Sequence, residues 1–404
     1  MRVLLSLVFI IVAAVPALAQ EPIRVGLLTI RSGAVASCGR QMEEGFQIFV
    51  KERNGMVAGR KLEVFVGDSA GQPAQTRTKA QEHVERNKVH VIVGPIAAFE
   101  AIAISDYIRQ VEMPTIISPA SADDITQRKA NLWFVRASMS ASQPTHPLGE
   151  YAAKKLGYKR VATISDDFAY GHEHTAGFQR TFEENGGKIV QKLWPPLNVA
   201  DYGSYITQLK TNVDAIYAGF GPQNGMRFIK QYREYGLKLP ILGTVTTIDE
   251  GQMKAMGDEV LGTITAGSYS SVLDNPLNKK FVAAMQAEFK DEPGFCAISG
   301  YMGGVFLEAG AKAVNGKIED KAAFMKALQG LRLADSPIGP VKLDAYGNPI
   351  TNIYIRRVER RDGRLVNAII ETYPDVSQFW KYDPKTFLAA PVYSRDYPPA
   401  KNIE

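Results

Sequence analysis

The sequence predicts an α/β protein of two lobes, each built on a mostly parallel sheet. From residue 23 onward, short β-rich runs alternate with longer amphipathic stretches, a pattern typical of repeated strand–helix–strand units. The length of 404 residues corresponds to two or three domains of ordinary size. Because the alternation yields too many strands for one small sheet, two lobes are the natural division. The cleft between them is then the expected ligand site.

The first part of the chain carries the elements of one sheet. Residues 23–29 are predicted to form a buried strand, and residues 38–54 a helix whose apolar side chains include Met42, Phe46 and Phe49. The elements that follow are a strand at 61–68, a helix at 76–87, a strand at 89–95 that ends in a Gly-Pro turn, a helix at 99–110, and strands at 114–117 and 132–136.

The same rhythm continues after a loop and predicts a second sheet. Its elements are helices at 150–157 and 174–187 and strands at 160–166, 188–194, 213–219, 240–243 and 262–267. Three further helices are predicted at 276–289, 298–314 and 320–331. A hairpin follows at 351–360 and 364–372, because Asp362-Gly363 between two β-rich runs is a strong turn signal. The C-terminal residues, rich in proline and aromatic side chains, are predicted to lie on the surface as an extended tail.

Composition and the first residues indicate an exported, soluble protein. Apolar residues make up 45% and charged residues 22%, which excludes a disordered, collagen-like or multi-span membrane chain. The net charge of +5 is spread over the chain, unlike the basic stripe of a nucleic-acid binder. Arg2, an apolar run and Ala17-Leu18-Ala19 predict a signal peptide over residues 1–19. An uncleaved membrane anchor is the alternative, although the apolar run is short for a span.

One motif points to an enzyme. Gly67-Asp68-Ser69-Ala70-Gly71 matches the nucleophile elbow of serine esterases and stands between a predicted strand and a helix. No HGGG-type oxyanion loop precedes it, and His83 and His90 follow too closely behind it. The alternative is a strand-to-helix turn in which Asp68 or Ser69 caps the following segment. We expect the turn, and therefore no enzyme, with an esterase using Ser69 as the minor alternative.

Other chemical signals are weak. His172-Glu173-His174 places two histidines on different sides of a helix, so a solvated helix start is expected rather than a metal site. Neither Gly-rich dinucleotide spacing nor a Walker lysine is present, and no cofactor is predicted. Cys38 and Cys296 are far apart in sequence and are expected to be unpaired, although an oxidising compartment would allow a disulfide.

The order and spacing of several stretches resemble a known family. IRVGLLTIRSGAVASCGRQMEEGFQIFV, NGMVAGRKLEVFVGDSAGQPAQ, VHVIVGPIAAFEA and MPTIISPASADDIT resemble its first lobe. VATISDDFAYGHE, VDAIYAGFGPQNGMRFIKQYREYGLK and PILGTVTT resemble its second lobe. The family is the type I periplasmic binding proteins of the Leu/Ile/Val class, the extracytoplasmic solute receptors of ABC importers. The resemblance covers nearly the whole mature chain.

The resemblance implies two Rossmann-like lobes joined by three crossovers near residues 139, 270 and 348. Lobe 1 would be 20–139 plus 271–348, and lobe 2 would be 140–270 plus 349–404 with the C-terminal tail. The protein would be a periplasmic monomer that closes on a small molecule and is read by a permease in the inner membrane. A periplasmic sensor domain is a weaker alternative.

Family cleft positions carry over to particular residues of this chain. In lobe 1 they fall on the helix start at Ala97, Ala98 and Phe99, where free amides suit a carboxylate, and on the next strand-end loop. In lobe 2 they include the aromatic residue of the D-x-x-x-Y-G stretch. The remaining implied ligand contacts are Cys38, Ala120, Ser121, Tyr170, Phe220, Val245, Phe295 and Cys296.

The loop after PILG departs from the family pattern. Amino-acid binders of this class place a glutamate there to pair with the ligand's ammonium, but this chain has Val245. Because an ammonium buried without a counter-charge is costly, an α-amino acid is disfavoured. Asp249 and Glu250 could serve in a shifted alignment, so an amino acid or amide remains the alternative. Several aromatic residues fall at or near the implied cleft positions and would suit a flat ring by stacking: Phe99, Tyr170, Phe220, Tyr269 and Phe295. They predict an aromatic carboxylate of the benzoate or hydroxycinnamate type, such as p-coumarate.

Overall fold

The computed structural model describes residues 21–33 and 35–404, so the predicted signal peptide lies outside the described residues. The chain forms two separate sheets covered by helices. Most strand pairs within them are parallel, and the predicted α/β class is confirmed. Among the residues that the structure describes, no helix is long and apolar enough to cross a bilayer.

The first sheet has six strands in the order β2-β3-β1-β4-β5-β6. They are β1 (Ile23–Thr29), β2 (Met56–Val57), β3 (Arg60–Asp68), β4 (Val91–Val93), β5 (Thr115–Ile117) and β6 (Phe134–Arg136). All neighbours are parallel except β2, which is antiparallel to β3. Most of their β-branched and leucine side chains are buried, as expected for a parallel sheet covered on both faces, although Val66 of β3 is exposed.

The second sheet has nine strands in the order β12-β13-β14-β11-β10-β9-β7-β8, with β15 also paired to β14. They are β7 (Arg160–Ser165), β8 (Lys188–Leu193), β9 (Ala215–Gly219), β10 (Ile241–Thr244), β11 (Ile264–Gly267), β12 (Arg332–Leu333), β13 (Val341–Leu343), β14 (Pro349–Arg361) and β15 (Arg364–Val376). Strands β7 to β11 are parallel, whereas β14 runs antiparallel to β11. The predicted hairpin is β14–β15.

Eleven α-helices connect and cover the sheets within the described part of the chain. They are α1 (Ala36–Glu52), α2 (Pro73–Gln81), α3 (Ala98–Val111), α4 (Ser142–Lys154), α5 (Ala169–Glu184), α6 (Gly203–Ile206), α7 (Pro222–Glu234), α8 (Pro276–Phe289), α9 (Phe295–Ala313), α10 (Lys321–Gln329) and α11 (Pro384–Ala389). Helices α8 and α9 pack on α1, α10 packs on α9, and α9 also contacts strands of the first sheet.

Strands β12 and β13 belong to the second sheet by hydrogen bonding, although the implied boundary at residue 348 assigns their residues to lobe 1. The turn between β13 and β14 touches the first sheet, where the Arg136 amide donates to the Gly347 carbonyl at 2.8 Å. This turn therefore contacts both sheets, and the exact lobe boundaries stay a prediction.

The prediction of an extended surface tail is wrong for residues 379–393. This segment contains helix α11 and buries Phe379, Phe387 and Tyr393. The Tyr393 hydroxyl lies 2.9 Å from His146 Nε2 of α4, and the Arg180 guanidinium of α5 lies 3.6 Å from the centre of the Tyr382 ring. The tail packs because its aromatic side chains remove apolar area from water on the α4–α5 surface.

Helices α1 and α9 approach each other unusually closely. A Cβ on Gly45 would lie 1.9 Å from the Ala297 carbonyl oxygen, and one on Gly300 would lie 2.1 Å from that of Met42. Only glycine fits at these two positions. The contact brings the N-terminal ends of α1 and α9 side by side at the edge of the first lobe that faces the second.

Candidate functional site

A narrow cleft with a cavity volume of about 50 Å³ lies between the two sheets, at the kind of junction where small-molecule sites occur. Most of its lining follows the carboxyl ends of strands β4, β5, β7, β9 and β10, where ligands of parallel sheets bind. The residues that line it are Val35, Cys38, Ile96, Ala97, Ala98, Pro119, Ser121, Phe168, Tyr170, Gly221, Pro222, Thr246, Phe295 and Cys296. None of these described lining residues carries a charged side chain.

Five helices point their N-terminal ends at this cleft. The residues at or just before those ends are Val35 for α1, Ala97 for α3, Phe168 for α5, Gly221 for α7 and Phe295 for α9. Each N-terminus carries partial positive charge and unpaired amides. Their convergence makes the cleft favourable for an anion.

Three buried carboxyls occupy some of these amides from behind the lining. Glu100 accepts from the Ala97 amide at 2.8 Å. Asp166 accepts from the Gly221 amide at 2.9 Å, and Asp249 accepts from the Phe295 amide at 2.9 Å. Burial raises the pKa of Glu100, and it raises the pKa of Asp166 and of Asp249 to about 7. These acids hold the helix ends in place, and none of them lines the cleft.

Lobe 1 presents free hydrogen-bond donors at one end of the cleft. The amides of Ala98 and Phe99 lie in the first turn of α3, where no carbonyl of the same helix can accept from them. The next loop presents Ser121, whose hydroxyl and amide have no hydrogen-bond partner among the described residues. The Ser121 carbonyl accepts from the Ala141 amide at 2.7 Å. The loop is therefore fixed while its donors stay available.

Aromatic side chains form the lobe 2 wall. The Phe168 and Tyr170 rings stack with their centres 5.8 Å apart, and the Phe99 ring of lobe 1 meets Phe168 edge-on at 6.0 Å. The Tyr170 hydroxyl donates to Thr244 Oγ1 at 2.9 Å and also bonds to Thr246. These two hydrogen bonds to threonine hydroxyls keep the Tyr170 ring fixed against the cleft.

Seven of the eleven implied cleft residues line the cleft: Cys38, Ala97, Ala98, Ser121, Tyr170, Phe295 and Cys296. Ala120 is buried directly behind Ser121, and Phe99 is half-buried against Phe168.

The other two implied residues turn their side chains away. The Phe220 ring lies in the lobe 2 core against Tyr202 and Phe228. Val245 packs on Gly267, where an added Cβ would lie 2.4 Å from Val245 Cγ2. Its neighbour Thr246 lines the cleft instead.

Sequence reasoning missed Phe168 and Thr246 as cleft residues. Phe168 lies two positions before Tyr170 in the same D-x-x-x-Y-G stretch. It stands between the end of β7 and the first residue of α5, which is the kind of position where cleft residues occur. Thr246 was one position from the residue named. Both errors are local, because strand ends and helix starts are the least certain part of a prediction from sequence.

Cys38 and Cys296 form a disulfide between the first turns of α1 and α9, so the expectation of two free thiols is wrong. Their separation of 258 residues hid the contact in the sequence. The close packing of Gly45 and Gly300 places the two Cα atoms 5.2 Å apart, within the range that a disulfide requires.

The Ser69 motif is a turn, as preferred from the sequence. Ser69 is buried and donates to the Thr29 carbonyl at 3.1 Å and to the Glu100 carboxyl. Its hydroxyl therefore links the β3 turn to the start of α3. His83 packs beneath Gly67 and makes no hydrogen bond to Ser69.

The His172-Glu173-His174 segment is largely buried, so the expected solvated helix start is wrong. Helix α5 begins earlier, at Ala169, which turns Glu173 and His174 inward. Glu173 accepts from the Asp123 amide at 2.8 Å. Among the described residues, no group of three or more metal-ligating side chains is close enough to hold an ion.

We expect Asp166 to make folding stability depend on pH. Its folded pKa of about 7 lies above the unfolded value near 4, so stability present at low pH is lost as pH rises from about 4 to 7. Asp166→Asn should therefore show a flatter profile of unfolding free energy between pH 5 and 8. Urea titrations at each pH measure it, with exposed Asp335→Asn as the control. An Asp166→Asn profile parallel to wild type would contradict the assignment.

Comparison with known proteins gives consistent matches over nearly the whole chain. A family described as periplasmic binding protein matches residues 22–364. Leu/Ile/Val-binding protein homolog 6 of Brucella melitensis is 27% identical, with 92% of this chain and 97% of that protein covered.

Two solved structures show the same fold in similar proteins. An ABC transporter solute-binding protein of Rhodopseudomonas palustris BisB5, in complex with 3,4-dihydroxybenzoic acid, aligns with a TM-score of 0.85 at 33% identity, over 89% of this chain and 99% of that one. A solute-binding protein of R. palustris in complex with benzoate aligns with a TM-score of 0.83 at 28% identity, over 88% and 98%.

Proposed function

The chain belongs to the periplasmic binding protein family, and we propose that its cleft binds a small aromatic monocarboxylate of the benzoate or hydroxycinnamate type. It is a solute-binding protein of the ABC-transporter type, which implies a small-molecule ligand and a permease partner. The ligand would bridge both lobes and stabilise the closed form, which the permease would recognise. Export by cleavage after Ala19 and a monomeric mature protein are part of the proposal.

The observation that carries the proposal is that the described lining of the cleft offers hydrogen-bond donors for an anion but no acidic side chain for an ammonium. The two acidic residues that a shifted alignment would offer, Asp249 and Glu250, already have partners within the protein. Glu250 pairs with Arg356 at 3.1 Å, and both side chains are fully buried. Asp249 accepts from the Phe295 and Gly251 amides at 2.9 and 3.0 Å. An α-amino acid would bury its ammonium without a counter-charge.

Aromatic character is supported by the opposite wall. Phe168 and Tyr170 line the cleft from lobe 2, Phe295 lines it from lobe 1, and the Cys38–Cys296 disulfide adds a polarisable surface. Flat rings gain from such contacts beyond their buried area. Similar solute-binding proteins have been solved with benzoate and with 3,4-dihydroxybenzoic acid, which supports the same class for this chain.

A ligand screen tests the proposal. We expect benzoate, hydroxybenzoates or p-coumarate to raise the melting temperature and to bind in calorimetry, because each offers a carboxylate and a flat ring. Leucine, valine and short amides are the matched comparisons. Binding of leucine or valine with none of the aromatic acids would overturn the proposal in favour of the amino-acid alternative. Hydrolysis of p-nitrophenyl esters that is lost in Ser69→Ala would instead support the alternative of a serine esterase.

Ser121→Ala should weaken the aromatic acid about tenfold or more. The variant removes a hydroxyl that is free to donate to the carboxylate, and a hydrogen bond to a charged group is worth about 1.5–3 kcal/mol. Calorimetry measures the change, and Ser105→Ala, on α3 away from the lining, is the control. Equal affinities of Ser121→Ala and wild type would exclude this hydroxyl as a carboxylate ligand.

A further inference from the structure

Arg136, the last residue of β6, lies directly behind the loop that presents Ser121. Its side chain is fully buried. The guanidinium donates to the Ala120 carbonyl at 2.5 Å and to the Ala122 carbonyl at 2.8 Å. These two carbonyls flank Ser121 in sequence. One rigid planar group therefore fixes the loop on both sides of the residue that faces the cleft.

Among the residues that the structure describes, no carboxylate forms an ion pair with Arg136. Its other hydrogen bonds go to Thr126 Oγ1 at 2.9 Å and Asn348 Oδ1 at 2.9 Å, which are neutral. Burial lowers the pKa of Arg136 to about 10, so the guanidinium stays charged at neutral pH. Three carboxyls act on it without a hydrogen bond or ion pair within the described residues: Asp123, Glu173 and Asp344.

Those three carboxyls have other partners. Asp123 accepts from the Ser142 amide at 3.0 Å, and Glu173 accepts from the Asp123 amide at 2.8 Å. Asp344 accepts from the Asn348 amide at 3.0 Å. Arg356 in the second sheet is the contrast, because its guanidinium contacts Glu250 directly. A buried cation without an ion-pair partner is expensive unless an anion comes near it.

Arg136 is also connected to the segments that join the sheets. Asn348, which accepts from Arg136, donates to Gln143 Oε1 at 3.0 Å. Gln143 lies in the first turn of α4 and donates to the Pro349 and Val376 carbonyls at 2.8 Å each. Hydrogen bonds therefore run from the Ser121 loop through Arg136 to the chain segments that pass between the lobes.

We propose that Arg136 is a positioning residue for the ligand's carboxylate: it holds the Ser121 donors toward the cleft and places behind them a positive charge that forms no ion pair within the described residues. This inference rests on the proposed function, because it takes the ligand to be an acid bound at Ser121. It adds a specificity element outside the cleft lining. The buried cation would favour a carboxylate over a neutral ligand of the same shape.

Arg136→Lys tests the proposal, with benzoate and its neutral isostere benzamide as probes. Lysine keeps the charge but cannot bridge the two carbonyls, so the Ser121 donors lose their alignment. Because hydrogen bonds to a carboxylate are about twice as strong as those to a neutral amide, we expect benzoate affinity to fall at least tenfold and benzamide affinity to change less than threefold. Arg60→Lys is the matched control, since Arg60 is also buried in lobe 1 and donates to the Gly316 carbonyl at 2.6 Å, at the opposite end of the strands. Unchanged benzoate affinity, or an equal loss for both probes, would overturn the proposal.

Amide hydrogen exchange of residues 120–123 gives a second test that does not depend on the ligand. Exchange should be faster in Arg136→Lys than in wild type, and unchanged there in Arg60→Lys. If wild type binds no aromatic acid, the proposed function fails, and unaltered exchange in Arg136→Lys then overturns the positioning role as well. Thr126→Val, which removes one neutral partner of Arg136, serves if Arg136→Lys does not fold. It should weaken benzoate about two- to fivefold, and no change would count against the proposal.

Discussion

Replacing Arg356 with methionine is expected to lower the free energy of unfolding by about 3–5 kcal/mol, the cost of leaving a buried carboxylate without its partner. Arg356 donates to Glu250 Oε1 at 3.1 Å, to the Tyr269 carbonyl at 2.8 Å and to the Val245 carbonyl at 2.9 Å. These bonds tie β14 to the loop after β10. Urea unfolding followed by circular dichroism measures the loss.

Two further variants distinguish loss of the ion pair from general disruption of the sheet as the cause of the lower stability. Arg356→Met combined with Glu250→Gln removes both charges, so part of the lost stability should return. Arg357→Met changes the next residue, which is exposed and pairs with Glu359 at 2.6 Å, and should cost less than about 1 kcal/mol. If the double variant were no more stable than Arg356→Met alone, the unpaired charge of Glu250 would not be the cause of the lost stability.

The same reasoning gives a pH dependence for Arg356→Met. Burial raises the pKa of Glu250 above its ordinary value, and the nearby guanidinium opposes that rise. Without the arginine, the folded pKa of Glu250 should rise further. A group with a raised folded pKa contributes stability at low pH that is lost as pH increases. The deficit of Arg356→Met should therefore be larger at pH 8 than at pH 5.

Local patterns predicted the repeated strand–helix architecture well, because each parallel strand is a short apolar run bounded by turns. The strand at 160–166 differs from β7 by one residue at one end, and the helix at 99–110 differs from α3 by one residue at each end. Contacts between segments that are distant in the sequence were not predicted. The pairing of β13 with β14, the packing of the tail on α4 and the contact of α1 with α9 depend on segments distant in sequence.

The site was predictable to the level of loops but not of side-chain direction. Tyr170 and Ser121 line the cleft, whereas Phe220 and Val245 occupy the right loops and point into the core. At a strand end the chain leaves its two-residue alternation, so the side-chain direction of each position depends on the turn. Arg136 gave no signal in the sequence, because its role follows only from the carbonyls that it contacts.

Removing the disulfide with Cys38→Ala/Cys296→Ala should lower the free energy of unfolding by about 5.5 kcal/mol in the chain-entropy model of cross-links. The bond closes a loop with a sequence separation of 258 residues, so it restricts the unfolded chain strongly. Both cysteines lie in a contact that two glycines already hold close, so the folded state should keep its shape. Urea unfolding without reductant measures the loss, and far-ultraviolet circular dichroism checks the fold.

Reductant distinguishes the cross-link from the packing of the two sulfur atoms. Under reducing conditions at unfolding equilibrium, wild type should fall to within about 1 kcal/mol of the double variant, because both then have an unrestricted unfolded chain. A difference of the same size with and without reductant would assign the effect to lost packing. In the folded protein, Cys296 is 1% and Cys38 7% exposed, so reduction should be slow until the chain unfolds. The stability difference should therefore collapse only after incubation in the transition region.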